Sequence, residues 1–520
     1  MTGRGARSAR RRAGRRGLVI VVAAIAFGRL YAAQAQPETR LLDAVKRSDA
    51  VAARALLRQG TSANTADPDG TTALHWASRA DNVELVRLLV NAGAKASSAN
   101  RYGVTPLSLA AVNGSAAVTR LLLDAGADPN ASTGEGETVL MTAARTGRPE
   151  PVALLLERGA NVRASERSYG ETALMWAAGH NHADVVRLLI KAGADPDTRS
   201  TVLEFPKVKV DLATMVTTAL PRGGMTALMY AARQGALASI DALADGGATL
   251  DAVDPDGMSA LVITIVNAHF ELAARLVQRG ANPDVADSVG MAAVYAAVDM
   301  AHPDPLINRP PAKPSGRLTA GELVAVLLER RANPNLTLRA PLLMRQHNTG
   351  DASLGDGATP LMRAAKAGDV DLVRVLLDHG AHPSLALKNE TTTMMVALSG
   401  RGARMVTPDS PAFQTIKLCL DRGADVNAAN GNGETLLHQA VQRGDALVRL
   451  LAERGARLDA RDKQGRTPVD VALGVSAPAA AGRGRGGRAG GAGAAPAQAS
   501  ESTVQLLREL AGGARTSPEP

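Results

Sequence analysis

Nine histidines and one cysteine are the residues of this chain best suited to metal or nucleophilic chemistry. His180 and His182 sit two apart, and His379 and His382 lie on either side of Gly380. A helical zinc site of the metalloprotease kind needs two histidines at i and i+4 with a carboxylate beside them, a spacing neither pair has. Neither a bound metal nor a cofactor is therefore expected. Cys419 is the sole cysteine, so no intramolecular disulfide can form. In IKLCLDRGA it stands at an apolar position and reads as a small buried hydrophobe rather than a reactive thiol. No G-x-S-x-G, P-loop or dinucleotide-binding glycine fingerprint occurs. Asp128, Asp195 and Asp425 recur in one G-A-D context. A carboxylate repeated that way belongs to a scaffold, whereas catalysis needs one convergent constellation, so no catalytic residue is assigned.

What positions these side chains is a stretch that recurs along the chain, best seen from Gly170 to Pro196, GETALMWAAGHNHADVVRLLIKAGADP. Gly170 supplies a turn position that tolerates positive φ, and Thr172 can cap the first amides of a helix. Leu174, Ala177 and Ala178 then fall at i, i+3 and i+4, giving an apolar face of mostly small residues that lets a second helix come close. His180 and Asn181 turn the chain. Val185, Val186, Leu188 and Leu189 give the next helix a broader apolar face, and Gly193 stands where a helix ends in the left-handed conformation. One such pair cannot bury its faces alone, so neighbouring copies must stack.

The turn glycine returns as Gly70, Gly103, Gly136, Gly170, Gly224, Gly257, Gly290, Gly357, Gly433 and Gly465, with Glu390 in its place once. The capping residue two places on is Thr72, Thr105, Thr138, Thr172, Thr226, Ser259, Thr359, Thr392, Thr435 and Thr467, with Ala292 the one loss. Spacings of 33 or 34 dominate. This register resembles the ankyrin-repeat family, whose pattern is roughly G-x-T-P-L-H-x-A-A, a turn, an apolar helix and G-A-D. The resemblance implies an all-α solenoid of stacked helix-turn-helix units with β-hairpin fingers, about 11 repeats behind an N-terminal cap. It also implies that His75 and His438, at the T-P-L-H position, belong to the turn-to-helix hydrogen-bond network. Trp76, Trp176, Tyr230 and Tyr295 are read as the residue after that position, facing the concave groove of the family, where an aromatic can pack on the next repeat or meet a ligand. Tyr102 and Tyr169, each just before a turn glycine, are expected on the fingers as exposed anchors.

The first 35 residues are of another kind: an Arg-rich run through Arg16, an apolar run from Leu18 to Gly28, and Ala33-Gln34-Ala35. They resemble a bacterial secretory signal peptide. The apolar run is well short of the roughly 20 residues a membrane-spanning helix needs, so cleavage is expected, with an uncleaved inner-membrane anchor as the alternative. Residues 1–35 carry eight Arg and no acid, which leaves 51 basic against 50 acidic residues and a net charge of +1. The sequence pI of 9.9 therefore reports the leader and gives no support for nucleic-acid binding.

The expected organisation runs as a leader (1–35), N-terminal capping helices (36–68), four repeats (69–197) and an insertion (198–222). Repeats five to seven follow (223–335, interrupted at 299–318), then a second insertion (336–355) and repeats eight to eleven (356–474). A Gly/Ala/Arg-rich linker (475–500) and a C-terminal helix and tail (501–520) close the chain. The function expected is a non-enzymatic, monomeric scaffold that binds a protein partner in the periplasm or outside the cell, without stable membrane insertion. The alternative is an accessory or inhibitory subunit of a periplasmic redox or hydrolytic enzyme, its 198–222 and 336–355 loops entering the partner's active site. The leader gives the first prediction: N-terminal sequencing of the mature protein should begin at Gln36, and an intact Met1 in a membrane fraction would defeat it.

Overall fold

A computed structural model of the chain describes residues 37–203, 223–302, 313–342, 354–400, 405–475 and 499–513. The expected leader lies outside these residues, as do most of the 198–222 insertion, the centres of the 299–318 and 336–355 insertions, and most of the 475–500 linker. The described residues form 24 helices. They pair into an N-terminal hairpin, Pro37–Lys46 with Ala50–Arg58, and eleven repeats.

All first helices but one begin where the sequence supplies a capping Thr or Ser. The side-chain oxygens of Thr72, Thr105, Thr138, Thr172, Thr226, Ser259, Thr359 and Thr392 accept from the backbone N–H three residues on. Each such bond satisfies an amide with no partner inside the helix and contributes about 1 kcal/mol. Ala292 makes no side-chain cap, as its methyl group dictates, yet the helix Ala293–Ala301 still forms behind it because all but its last residue is buried. Packing supplies there what the cap does elsewhere.

The chain divides into two compact units, Met1–Thr201 and Val202–Pro520. Within each, first helices pack on first helices of the adjoining copies, and second helices form a second layer against second helices. Small residues set the closeness of the first layer: Ala77, Ala110, Ala111, Ala143, Ala144, Ala177 and Ala178 have no exposed surface. Larger residues fill the space between layers, among them Leu74, Leu107, Leu140 and Leu174 from first helices and Leu89, Leu122, Leu155 and Leu189 from second helices. The last helix, Glu501–Gly513, completes the final repeat: it packs on Asp445–Glu453 and Pro468–Ala472, buries Leu506 and Leu507, and turns Ser502 and Thr503 onto the Asp445 carboxylate.

Between repeats the chain makes a tight finger rather than an extended hairpin. Single antiparallel bridges, such as Ala66 with Thr72 and Ala429 with Thr435, close the fingers, and no longer strand pairing occurs among the described residues. Successive fingers are tied by backbone bonds: Arg101 N–H donates to Asp69 O at 2.9 Å, Arg167 N–H to Glu135 O at 2.9 Å, and Lys388 N–H to Asp356 O at 2.9 Å. This approach explains the turn glycine. At Gly290, with φ +87°, a Cβ would lie 2.5 Å from the Thr337 carbonyl oxygen. Glu390 holds the same left-handed turn at φ 63°, the conformation its replacement of glycine demands.

Leu174 is 2% exposed in the most regular of these copies. Leu174→Ala should destabilise by about 2–5 kcal/mol. Thr172→Ala, which removes only a cap, should cost about 1 kcal/mol. Circular dichroism melts of the two variants check the order, and a cap mutation that costs more than the core mutation would refute this account of the stack.

Candidate functional site

The histidine at the third helical position works as a clip between copies. Thr72 N–H donates to His75 Nδ1 at 3.1 Å, and His75 Nε2 lies 2.9 Å from the Val104 carbonyl oxygen in the next finger. Those two bonds fix the tautomer, with the proton on Nε2 facing an acceptor and Nδ1 receiving a backbone donor. His438 repeats the arrangement, 3.1 Å from Thr435 N and 3.1 Å from Arg466 O. Both imidazoles are buried and serve the scaffold. The other histidine pairs are turn residues. His180 Nδ1 is 2.9 Å from Trp176 O, His182 Nε2 is 3.0 Å from Arg145 O, and His379 Nδ1 is 2.8 Å from Val375 O. Among the described residues no group of three or more His, Cys, Asp or Glu is placed to hold a metal. Cys419 has no exposed surface, and burial pushes its thiol up to about 12, so it stays protonated.

The aromatic candidates separate by register. Trp76, Trp176 and Tyr230 stand four residues after their capping threonines, on the first-helix layer, and each is half-buried beneath a cation. Lys46 lies 4.9 Å and Arg79 5.7 Å from the Trp76 ring centroid, Arg145 lies 5.0 Å from that of Trp176, and Arg233 lies 5.0 Å from that of Tyr230. Cation–π contacts of this kind contribute about 0.5–1 kcal/mol where solvent reaches them. Tyr295 does not share the position. It is three residues after Ala292, where His75 stands after Thr72, and it is 3% exposed. The grouping of four aromatics in one row is thus corrected to three, with Tyr295 a core residue. Tyr102 and Tyr169 are 62% and 55% exposed on their fingers, with Arg101 5.3 Å from the Tyr102 ring centroid.

The two tryptophans differ in one bond. Trp76 Nε1 donates to Asp67 Oδ2 at 2.8 Å. Trp176 Nε1 is buried and finds no acceptor among the described residues, a condition that costs about 1–3 kcal/mol. The residue that corresponds to Asp67, one past the bridge in the finger, is Glu166. Its oxygens accept from the backbone N–H groups of Ser168 at 2.6 Å, Tyr169 at 2.7 Å and Glu171 at 3.0 Å. Burial alone would push the Glu166 carboxyl up, but these bonds together hold it below its ordinary value.

Two features escaped the sequence reading. Asn64, Asn130, Asn335 and Asn427 each donate from the side-chain amide to a glycine carbonyl one repeat on and accept a backbone N–H beside it, as in Asn130 Nδ2 to Gly159 O at 3.1 Å and Asn161 N to Asn130 Oδ1 at 2.7 Å. The signal was present, since Asn130, Asn335 and Asn427 follow shortly after an Ala-Asp or Ala-Asn pair at the helix end. The second is a buried ion pair in the Val202–Pro520 unit: Arg363 Nε lies 2.7 Å from Asp299 Oδ1, the two side chains 9% and 2% exposed. Arg363 Nη2 also donates to His302 O at 2.5 Å, and His302 Nε2 lies 2.8 Å from Asp369 Oδ2.

A model of ankyrin repeats taken three copies at a time matches residues 41–133, 126–200, 209–304, 321–407 and 409–477. Curated relatives bear the name ankyrin repeat, SAM and basic leucine zipper domain-containing protein 1. The one from Ornithorhynchus anatinus is 40% identical over 102 residues, 19% of this chain and 20% of that protein. Those from Oryctolagus cuniculus and Notamacropus eugenii are each 36% identical, over 142 and 145 residues, 27% of this chain and 28% of theirs. The match therefore covers no more than 28% of any of these three relatives.

The His75 clip has a pH signature. Burial pushes the imidazole below its ordinary value, with the Val104 carbonyl opposing. A group whose folded pKa is depressed contributes stability above its unfolded value, about 6.5 for histidine, that is lost as pH falls through the folded value. Melting temperature should therefore fall as pH drops below about 6.5. His75→Ser, which copies the capping box that Ser108 makes with Thr105, should remove this share of the slope. An unchanged slope in that variant would show that His75 does not carry it.

Proposed function

The chain belongs to the ankyrin-repeat family, and from that premise we propose that it is an exported scaffold whose Met1–Thr201 unit grips a protein partner. Ankyrin repeats are a protein-binding scaffold, so partners that are proteins follow from the fold itself. The finer reading rests on where the large side chains stand. The first layer of this unit is made of alanines, yet it carries Trp76 and Trp176 half-exposed under cations, and its fingers present Tyr102 and Tyr169 to solvent. An aromatic held rigidly at the surface binds with little loss of side-chain freedom, which is why a few such residues dominate many interfaces.

Export is supported by the Arg-rich run, the short apolar run and Ala33-Gln34-Ala35, which together have the composition of a cleaved leader. No helix of the described residues is long and apolar enough to cross a membrane. With the leader removed the charge is nearly balanced, so recognition depends on local pairs and aromatic anchors rather than on a long-range field.

The single observation that carries the proposal is the exposure of Tyr102 and Tyr169, and it sets the test. The partner is recovered from the periplasm by affinity purification, and its affinity is measured for the parent and for a chain with Tyr102→Ala and Tyr169→Ala. Loss of exposed side chains should move stability by less than about 0.5 kcal/mol. Binding should weaken by about 1 kcal/mol or more for each anchor. Unchanged affinity would remove the fingers from the interface.

A further inference from the structure

The repeats opened by Gly70 and Gly170 place a tryptophan at one position in different company. In the first, three groups close on one another. Trp76 Nε1 and Lys46 Nζ hold the two oxygens of Asp67 at 2.8 and 3.0 Å, while the Lys46 ammonium lies over the indole. The second has the indole N–H and the cation but lacks the carboxylate. Arg145 lies over the Trp176 ring, Trp176 Nε1 has no acceptor among the described residues, and Glu166 is turned into its own finger. Among the described residues the acid that pairs with Arg145 is Glu137, 3.7 Å from Nη2; it accepts from Thr142 Oγ1 at 2.8 Å and not from the indole.

We propose that Trp176 and Arg145 form a subsite for a carboxylate of the protein partner, an aspartate or glutamate side chain on an extended segment laid along the first-helix layer. This deepens the protein-binding reading and rests on it. Asp67 is the template within the same unit: one carboxylate oxygen on the indole N–H, the other on the neighbouring cation. Arg145 suits the role, because a guanidinium offers a planar pair of donors to a carboxylate and keeps its charge at every working pH. The indole Nε1 has no exposed surface, so access requires the Arg145 side chain, 43% exposed, or the ring itself to turn as the ligand enters. A bound carboxylate thereby satisfies a donor that the described residues leave unmet, and the same donor rejects an amide that presents its own N–H there.

The experiment uses the full chain with Trp76→Phe, in which Trp176 is the one remaining indole. The probes are a terminally blocked peptide of alternating aspartate and glycine, its asparagine counterpart, and succinate. The aspartate peptide should change Trp176 emission, and the asparagine peptide should bind roughly tenfold more weakly or worse. Arg145→Gln should weaken the aspartate peptide by a similar factor with the melting temperature little changed, whereas Arg145→Lys should restore part of it. Equal binding of the two peptides, or no emission change with either, overturns the subsite. A response to succinate as strong as to the peptide makes it a small-anion site and overturns the assignment to a partner segment. The isolated partner separates this inference from the reading beneath it. If Arg145→Gln leaves partner affinity intact while the Tyr102 and Tyr169 double variant lowers it, the subsite fails and protein binding stands. If the double variant does nothing while the peptides still discriminate, the finger anchors fail and the subsite stands.

Discussion

No repeat of this chain can bury its own apolar faces, and everything else in the structure answers that constraint. A helix of seven to nine residues is too short to persist alone in water, so it exists only where both neighbours cover it. That requirement selects alanine on the first helices, where backbones must come close, and leucine between the layers, where volume must be filled. The N-terminal hairpin and the C-terminal helix meet the same demand at the two ends: each buries an apolar face on its inner side while Arg54, Arg58, Arg508 and Glu509 remain exposed.

The bonds between copies form a second, polar answer. Stacked fingers exchange backbone hydrogen bonds, the asparagine amides reach forward to the next glycine carbonyl, and His75 and His438 join a cap to the following finger. Exposed ion pairs also cross between second helices, such as Arg158 with Asp124 at 2.5 Å and Arg454 with Asp421 at 2.7 Å. Pairs of that kind contribute little in water. The buried or backbone-directed bonds matter more, because each satisfies a group that the stack has withdrawn from solvent.

Much of this was legible in the sequence, because it is written eleven times over. Thr172, Gly170 and the absence of a cap at Ala292 are local signals, and they predict their own conformations, down to the left-handed turn that Glu390 must adopt. What sequence reasoning missed lies between copies or in the register of one. Tyr295 was placed a residue away from its true position because Ala292 removes the threonine that marks the count. The Asp299 and Arg363 pair joins residues 64 apart across two insertions, and no local pattern relates them. The difference between Trp76 and Trp176 depends on which way a finger carboxylate turns, and the finger of Glu166 has one more residue between Ser165 and Thr172 than lies between Ala66 and Thr72.

Arg363 also bears on how an array of near-identical parts finds its order. It stands four residues after its capping threonine, and its carboxylate partner Asp299 stands seven after Ala292 in the preceding copy. The same two places bring Arg145 over Trp176 in the other unit, so the relation recurs. Read along the chain, the seventh place holds Arg79, Val112, Arg145, Gly179, Arg233, Val266, Asp299, Lys366, Ser399, Gln442 and Gly474, and only Asp299 is acidic. A chain that folded with one copy skipped would set the buried guanidinium of Arg363 against Val266, where a lone charge costs several kcal/mol. Such an assembly would be penalised by the ion pair and by nothing in the apolar faces, so among near-identical modules this pair would favour one order over a slipped one.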